Sequence, residues 1–396
     1  MQIKEFGVED WLNQWEKQAK WDIAGSSVAS LSLEELATLA GDSYEQISQD
    51  LCRSLLNYGW IEGSPDFKEA VSQLYETVCP EQILQTNGAT GANFLVLYSL
   101  LEPGDHVISM YPTYQQLVDI PQSLGAHVQL WPIREEKGWL PDLADLRQMV
   151  TEKTKMICIN NANNPTGAFM DRAYLEELVS IAEEVGAYIL ADEVYQTFED
   201  QAFPAIVDLY EKGISTNSLS KTYSLPGIRV GWIAANHELS DYFRKYRDYT
   251  MISAGVIDDA LATYALQQRE HILERNRQLV RRNLAILEKW VAEQDQVDLV
   301  LPRQVSTSFI RLRIDRPTEE FCLALLEEEG VLLVPGERFD MPGYARLGYC
   351  CQTEVLVEGL ERLARFLGSN KSNEELSDKE LRSRLQEQPL AVLGWT

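Results

Sequence analysis

Ser218-Leu219-Ser220-Lys221-Thr222-Tyr223-Ser224-Leu225-Pro226-Gly227-Ile228-Arg229-Val230-Gly231-Trp232 sets a lysine among small hydroxylated residues, with an arginine eight positions later between two glycines. An unprotonated lysine amine can form a Schiff base with an aldehyde. Hydroxyls and a guanidinium can hold a phosphate dianion at the other end of the same small molecule. A lysine beside serines is equally at home on an ordinary surface, so the stretch gains meaning only from what accompanies it.

Two other stretches sit where such a ligand would need them. Asn160-Asn161-Ala162-Asn163-Asn164-Pro165-Thr166-Gly167 follows the apolar run Met156-Ile157-Cys158-Ile159, and Asp192-Glu193-Val194-Tyr195 follows Ala187-Tyr188-Ile189-Leu190-Ala191. Both lie at the carboxyl ends of predicted strands, where open α/β sheets bind ligands. Helical and strand patterns alternate through 171–185, 187–191 and 214–218, which predicts a largely parallel sheet with crossover helices. Upstream, Ile83-Leu84-Gln85-Thr86-Asn87-Gly88-Ala89-Thr90-Gly91-Ala92 reads as a strand and a glycine-bearing turn before a helix over 93–101. The opening of a helix offers unpaired N–H groups to a phosphate, so the amides of Ala89 and Thr90 and the Thr90 hydroxyl are candidate donors. A strand over 106–110 then leads into Tyr111-Pro112-Thr113-Tyr114.

The 396 residues suffice for two domains that each bury a core, and 45% of them are hydrophobic. No run approaches the roughly 18–20 apolar residues of a membrane helix. Lys4, Glu5, Glu9 and Asp10 stand where a secretory signal would be apolar, so a cytoplasmic protein is expected. Six scattered cysteines without a Cys-x-x-Cys pair, and only four histidines, argue against a metal site or a disulfide framework. A formal charge of −26 argues against nucleic-acid or anionic-membrane partners and reads as a solubilising surface.

Trp11, Leu12 and Trp15 fall at helical spacing within residues 8–20, a helix expected to pack down or to close over a site. Ser32-Leu33-Glu34-Glu35 is a capping box for a helix ended by Gly41. A helix is predicted over 67–75 and a long helical region over 260–291. Residues 308–314, 318–329, 331–334 and 345–350 read as a small α/β unit. The polar tail beyond 367 holds one more capping box, from Ser377 to Glu380.

Taken in order, Asn164-Pro165-Thr166-Gly167, Asp192-Glu193-Val194-Tyr195 and Ser218 through Gly231 resemble the fold-type-I pyridoxal-phosphate enzymes, the aminotransferase class I/II family, over nearly the whole chain to about residue 367. The resemblance implies an α/β fold with a mostly parallel seven-stranded sheet. It places an N-terminal arm at 1–44 belonging to a small domain, a large cofactor-binding domain at 45–280, the rest of the small domain at 281–367 and a tail at 368–396 that the family does not account for. It also implies roles. Lys221 would carry pyridoxal 5′-phosphate and serve as base, Asp192 would keep the ring nitrogen protonated, and Asn164 and Tyr195 would donate to the ring oxygen. Tyr114 would stack on the ring, and Gly88, Ala89, Thr90, Ser218 and Arg229 would hold the phosphate. Tyr58 would reach the phosphate of a partner subunit, making the active unit a homodimer with shared sites. Arg346, in Tyr344-Ala345-Arg346-Leu347-Gly348-Tyr349, would grip the substrate carboxylate, with Arg311, Arg313 and Arg338 as rivals.

This equipment suits amino transfer from a free amino acid to a 2-oxo acid through a Cα carbanion. A closer resemblance keeps a second outcome open. Val8-Glu9-Asp10-Trp11-Leu12, Trp131-Pro132-Ile133-Arg134 and Gly330-Val331-Leu332-Leu333-Val334-Pro335-Gly336 are similar to the capreomycidine synthase and enduracididine-forming cyclase group, which eliminates a hydroxyl from a hydroxylated arginine and closes a ring. The chain departs from that group in keeping Asn163 to Gly167 and Asp192 to Tyr195 in the ordinary aminotransferase form. An arginine-like substrate would need a carboxylate for its guanidinium, for which Glu9, Asp10 and Asp22 are candidates. A DNA-binding regulator on the same fold would carry a helical domain in front, whereas here the fold is expected to begin almost at Met1.

Overall fold

Seven short strands pair into one sheet in a computed structural model that describes residues 2–369. In chain order they are β1 (Ile83–Asn87), β2 (His106–Tyr111), β3 (His127–Pro132), β4 (Thr154–Asn160), β5 (Tyr188–Asp192), β6 (Gly213–Ser218) and β7 (Val230–Ala234). Their spatial order is β1-β7-β6-β5-β4-β2-β3, and only β7 runs against the others. This is the expected mostly parallel seven-stranded sheet. Side chains alternate between its two faces. Val107, Met156, Cys158, Leu190 and Ile214 enter one core with Leu95, Val96 and Phe243, while Ile108, Ile157, Ile159 and Ile189 enter another with Leu175, Leu178 and Ile181. Burial on both faces is why β4 and β5 read as continuous apolar runs.

The chain from Val297 onward builds a second, smaller layer. Val334–Pro335, Tyr344–Leu347, Ser308–Leu312 and Val297–Leu299 form an antiparallel sheet in that order. The N-terminal strand Trp21–Asp22 joins this region by pairing in parallel with Val331–Leu332. The expected strand over 331–334 is therefore two strands in two sheets. Between them the Leu333 carbonyl accepts the indole N–H of Trp11 at 2.9 Å.

Other expectations shift at their edges. The N-terminal helix α1 (Gly7–Trp15) stops before residue 20 and continues as one tighter turn, Glu16–Gln18. The Ser32–Glu35 capping box is formed in both directions, at 3.1 and 2.7 Å, and Gly41 ends its helix with φ +76°. The helix expected from residue 93 is α2 (Gly88–Leu100), because the Gly-Ala-Thr-Gly-Ala stretch itself makes the first turn and a half. The long region over 260–291 is two helices, Val256–Gln267 and α3 (Arg269–Ala292), broken at Gln268. A helix over Tyr44–Arg53, capped by Ser43, has no buried residue and was not anticipated. No helix among the described residues is long and apolar enough to cross a membrane. The tail from residue 370, with its Ser377–Glu380 capping box, lies outside the described residues.

Candidate active site

The parallel strands deliver Asn160 and Asp192 side by side at the carboxyl ends of β4 and β5, and a cavity of about 820 Å³ opens beyond them. Ala89, Thr90, Tyr114, Asn164, Asp192, Tyr195, Ser218, Lys221, Arg229, Arg346 and Glu9 all line it. Gly88, next in sequence to Ala89, does not line it. Tyr58 does not reach the cavity of its own chain: it is 81% exposed, beside a separate depression formed with Trp60 and Val256.

The lysine loop follows β6 and is held from α3, whose buried Asn276 donates to the Thr222 carbonyl at 2.8 Å and to Ser224 Oγ at 2.9 Å. From this loop Lys221 Nζ donates to Ser26 Oγ at 3.0 Å, and the Tyr195 hydroxyl donates to the same oxygen at 2.8 Å. Asp192 is buried, with Oδ2 accepting from Asn93 Nδ2 at 2.8 Å and Oδ1 from the Val194 amide at 3.3 Å. Burial pushes its carboxyl up to about 6, and these hydrogen bonds oppose the rise. Asn93 is in turn fixed by the Thr216 hydroxyl, which donates to its Oδ1 at 2.6 Å.

The opposite rim is built from backbone. The first amides of α2 have no intrahelical acceptor. A Cβ on Gly88 (φ +66°) would come within 2.7 Å of Arg229 Nη2, and one on Gly231 would lie 2.4 Å from the Gly88 carbonyl carbon and 2.6 Å from the Ala89 nitrogen. Helix start, guanidinium and strand thus close on one another only because both positions are glycine. Arg229 Nη1 is aimed by the Pro226 carbonyl at 2.9 Å and Ser220 Oγ at 3.4 Å. Unpaired amides, serine hydroxyls and a guanidinium in one small concavity are the donor set for a phosphate dianion.

Arg346 is 2% exposed. Its Nε and Nη2 donate to the Ala24 carbonyl at 3.1 and 3.0 Å, and Nη1 donates to Asn164 Oδ1 at 3.1 Å. Among the described residues no carboxylate forms an ion pair with it, whereas Arg311 pairs with Glu135, Arg313 with Asp298, and Arg338 with Asp10 and Glu319. Burial pushes the Arg346 guanidinium below its ordinary value, yet an arginine stays charged in a protein. A buried cation with no ion-pair partner among the described residues, felt only at a distance by Glu9 and Asp22, calls for an anionic ligand in the cavity beside it.

On α1, Trp11 and Trp15 pack inward while Glu9 and Leu12 face the cavity, so the helix is both docked and a wall of the site. Asp10 is taken by Arg338 at 3.0 Å and does not line the cavity, which removes it as a substrate ligand. Asp22 does line it, its Oδ1 accepting the Ala24 amide at 2.9 Å. Sequence reasoning missed Ser26, Ala24 and Asn93. The only signal for Asn93 is a single amide in the apolar run before Phe94-Leu95-Val96-Leu97.

The aminotransferase class I and II family model matches residues 33–363. The chain belongs to that family. A crystal structure of a PLP-dependent aminotransferase from Streptococcus suis superposes with TM-score 0.92 at 62% identity, covering 94% of this chain and all of that one. Capreomycidine synthase of Streptomyces vinaceus is 29% identical over 92% of this chain and 94% of its own length. Aspartate aminotransferase of Thermotoga maritima is 32% identical over 74% of this chain and 77% of its own. The protein is thus a pyridoxal-phosphate enzyme of this family, and the cavity's donor set fits that cofactor.

Proposed function

We propose that this enzyme transfers the amino group of a free amino acid to a 2-oxo acid, with Lys221 carrying the cofactor and Arg346 binding the substrate's α-carboxylate. The observation that carries the reading is Arg346: buried, without an ion-paired carboxylate among the described residues, and opening on the same cavity as the Lys221 amine. Pyridoxal phosphate, when bound, supplies an electron sink for the electrons of a broken Cα bond. The amides of Ala89 and Thr90, with Ser218 and Arg229, would hold its phosphate, and Tyr114 would stack on its ring. The Asp192 carboxylate, oriented by Asn93, would hold a proton at the ring nitrogen. Asn164 Oδ1 is engaged by Arg346, which leaves its Nδ2 as a donor to the ring oxygen beside the Tyr195 hydroxyl. Lys221 would then move the proton at Cα as general base and acid.

Glu9 and Asp22, with Glu16 and Asp119, give the cavity an acidic side. That side, with the similarity to capreomycidine synthase, supports a second reading: elimination from a hydroxylated arginine and ring closure, with Glu9 meeting the guanidinium. A panel of amino acids, hydroxyarginines included, separates the two by product mass. A 2-oxo acid means transfer, and loss of water with the amino group retained means elimination. If no amino acid perturbs the cofactor's absorbance, both readings fail.

The active unit is proposed as a homodimer in which Tyr58 reaches the neighbouring phosphate. Exposed Leu55, Leu56, Tyr58, Trp60, Ile61, Tyr249 and Ile252 supply apolar surface for such an interface. Residues 1–44 and 281–367 are proposed to move as one small domain against 45–280, supported by the pairing of Trp21–Asp22 with Val331–Leu332. A cytoplasmic location is in keeping with this amino-acid chemistry.

A further inference from the structure

Ser26 sits where the Lys221 amine and the Tyr195 hydroxyl meet. Its Oγ accepts from Lys221 Nζ at 3.0 Å and from the Tyr195 hydroxyl at 2.8 Å, across separations of 195 and 169 residues. The residue is 6% exposed and lines the cavity. Nor is its hydroxyl carried on a free loop. The Ser26 carbonyl accepts from Ser306 Oγ at 2.6 Å, and the Ala24 carbonyl accepts two Arg346 donors. The Ile23 carbonyl accepts the Gly348 amide at 2.9 Å. A Cβ on Gly348 would fall 1.4 Å from the Gly25 carbonyl oxygen, so the segment passes there only because residue 348 is glycine.

We propose that Ser26 is a positioning residue that aligns the Lys221 amine and the Tyr195 hydroxyl, on a segment that ties both to the Arg346 anchor. The inference rests on the reading that Lys221 carries the cofactor. The bond from a protonated, cationic nitrogen to the serine oxygen is charge-assisted and stronger than the neutral bond Ser26 could donate to the same nitrogen unprotonated, so Ser26 favours the protonated state of the cofactor-linked nitrogen. The single proton of the Tyr195 hydroxyl, while donated to Ser26, is withheld from the cofactor's ring oxygen, which acts in the same direction. Removing Ser26 therefore moves the pH midpoint of the cofactor's visible absorbance downward.

The test is a pH titration of that absorbance in the holoenzyme of wild type, Ser26→Ala and Ser26→Thr, with kcat and KM measured alongside. Ser26→Ala is expected to lower the midpoint by about one pH unit, the size of one lost hydrogen bond to a charged group. It is expected to lower kcat about tenfold while KM changes little, and threonine, which keeps the oxygen, is expected to restore the midpoint. A downward shift of roughly half a unit or more supports the proposal, and a smaller or upward shift overturns it. If the alanine variant does not fold, Ser26→Cys, whose sulfur is a weak acceptor, is read by the same criterion. A wild-type protein that develops no visible band dependent on Lys221 overturns the reading beneath; a band with an unmoved midpoint overturns this inference alone.

Discussion

Replacing Arg346 with lysine keeps the charge and removes the fork. The Ala24 carbonyl holds Nε and one hydrogen of Nη2, and Asn164 holds one hydrogen of Nη1, so the guanidinium keeps two hydrogens for a carboxylate. Two charge-assisted bonds at about 1.5–3 kcal/mol each come to about 3–6 kcal/mol. A lysine that recovers one of them loses about 1.5–3 kcal/mol, or roughly 10- to 150-fold in kcat/KM, and Arg346→Ala loses about 10²- to 10⁴-fold. The assay compares an amino acid with the amine that lacks its α-carboxylate, following disappearance of the cofactor's absorbance in a single turnover. The amine is expected to react at nearly the same rate in wild type and variants, while the amino acid slows. If both variants lose less than about fivefold on the amino acid, or lose as much on the amine, Arg346 does not anchor the carboxylate.

Gly231→Ala places a methyl group against the Gly88 carbonyl carbon and the Ala89 nitrogen, so cofactor affinity measured by equilibrium dialysis is expected to fall at least about tenfold; unchanged affinity would show that the phosphate sits elsewhere. Asp192→Asn cannot hold a negative charge at the ring nitrogen, and kcat is expected to drop by about 10² or more with cofactor still bound, as seen by absorbance; a smaller drop removes Asp192 from the chemistry. Glu193 is buried, and burial pushes its carboxyl up to about 8. The folded state then binds more protons than the unfolded chain between about 4.5 and 8, so this group's contribution to stability falls as pH rises through that window. Urea unfolding of Glu193→Gln should show that fall reduced relative to wild type, and identical pH slopes would contradict the assignment.

The parts of this molecule legible in its sequence are those fixed by local pattern. Strands β4 and β5 are apolar because both faces are buried, and Asp192 ends β5 while Asn164 lies in the loop just after β4, so a crevice at their carboxyl ends could be read from order alone. Local pattern misled where helical propensity and turn chemistry overlap. Gly88 marks a turn, yet Ala89, Thr90 and Ala92 continue helically, and apolar periodicity first becomes visible at Phe94. The break at Gln268 carries no Gly or Pro, and nothing in the local residues announces it. Contacts that complete the site join residues far apart in the chain. Ser26 meets Lys221 on a loop that follows the pairing of Trp21–Asp22 with Val331–Leu332 and is held by Gly348, Arg346 and Ser306, all distant in sequence. The same distance hides the feature that separates Arg346 from Arg311, Arg313 and Arg338, since each of those finds its carboxylate only in the folded chain.

The central claim is that one lysine amine holds the cofactor's aldehyde. Borohydride reduction of the protein after incubation with pyridoxal 5′-phosphate, followed by proteolysis and peptide mass spectrometry, reads this directly. The expected result is a single phosphopyridoxyl group on Lys221, in the peptide that continues toward Arg229. Modification of a different lysine, or none after reduction, would contradict it.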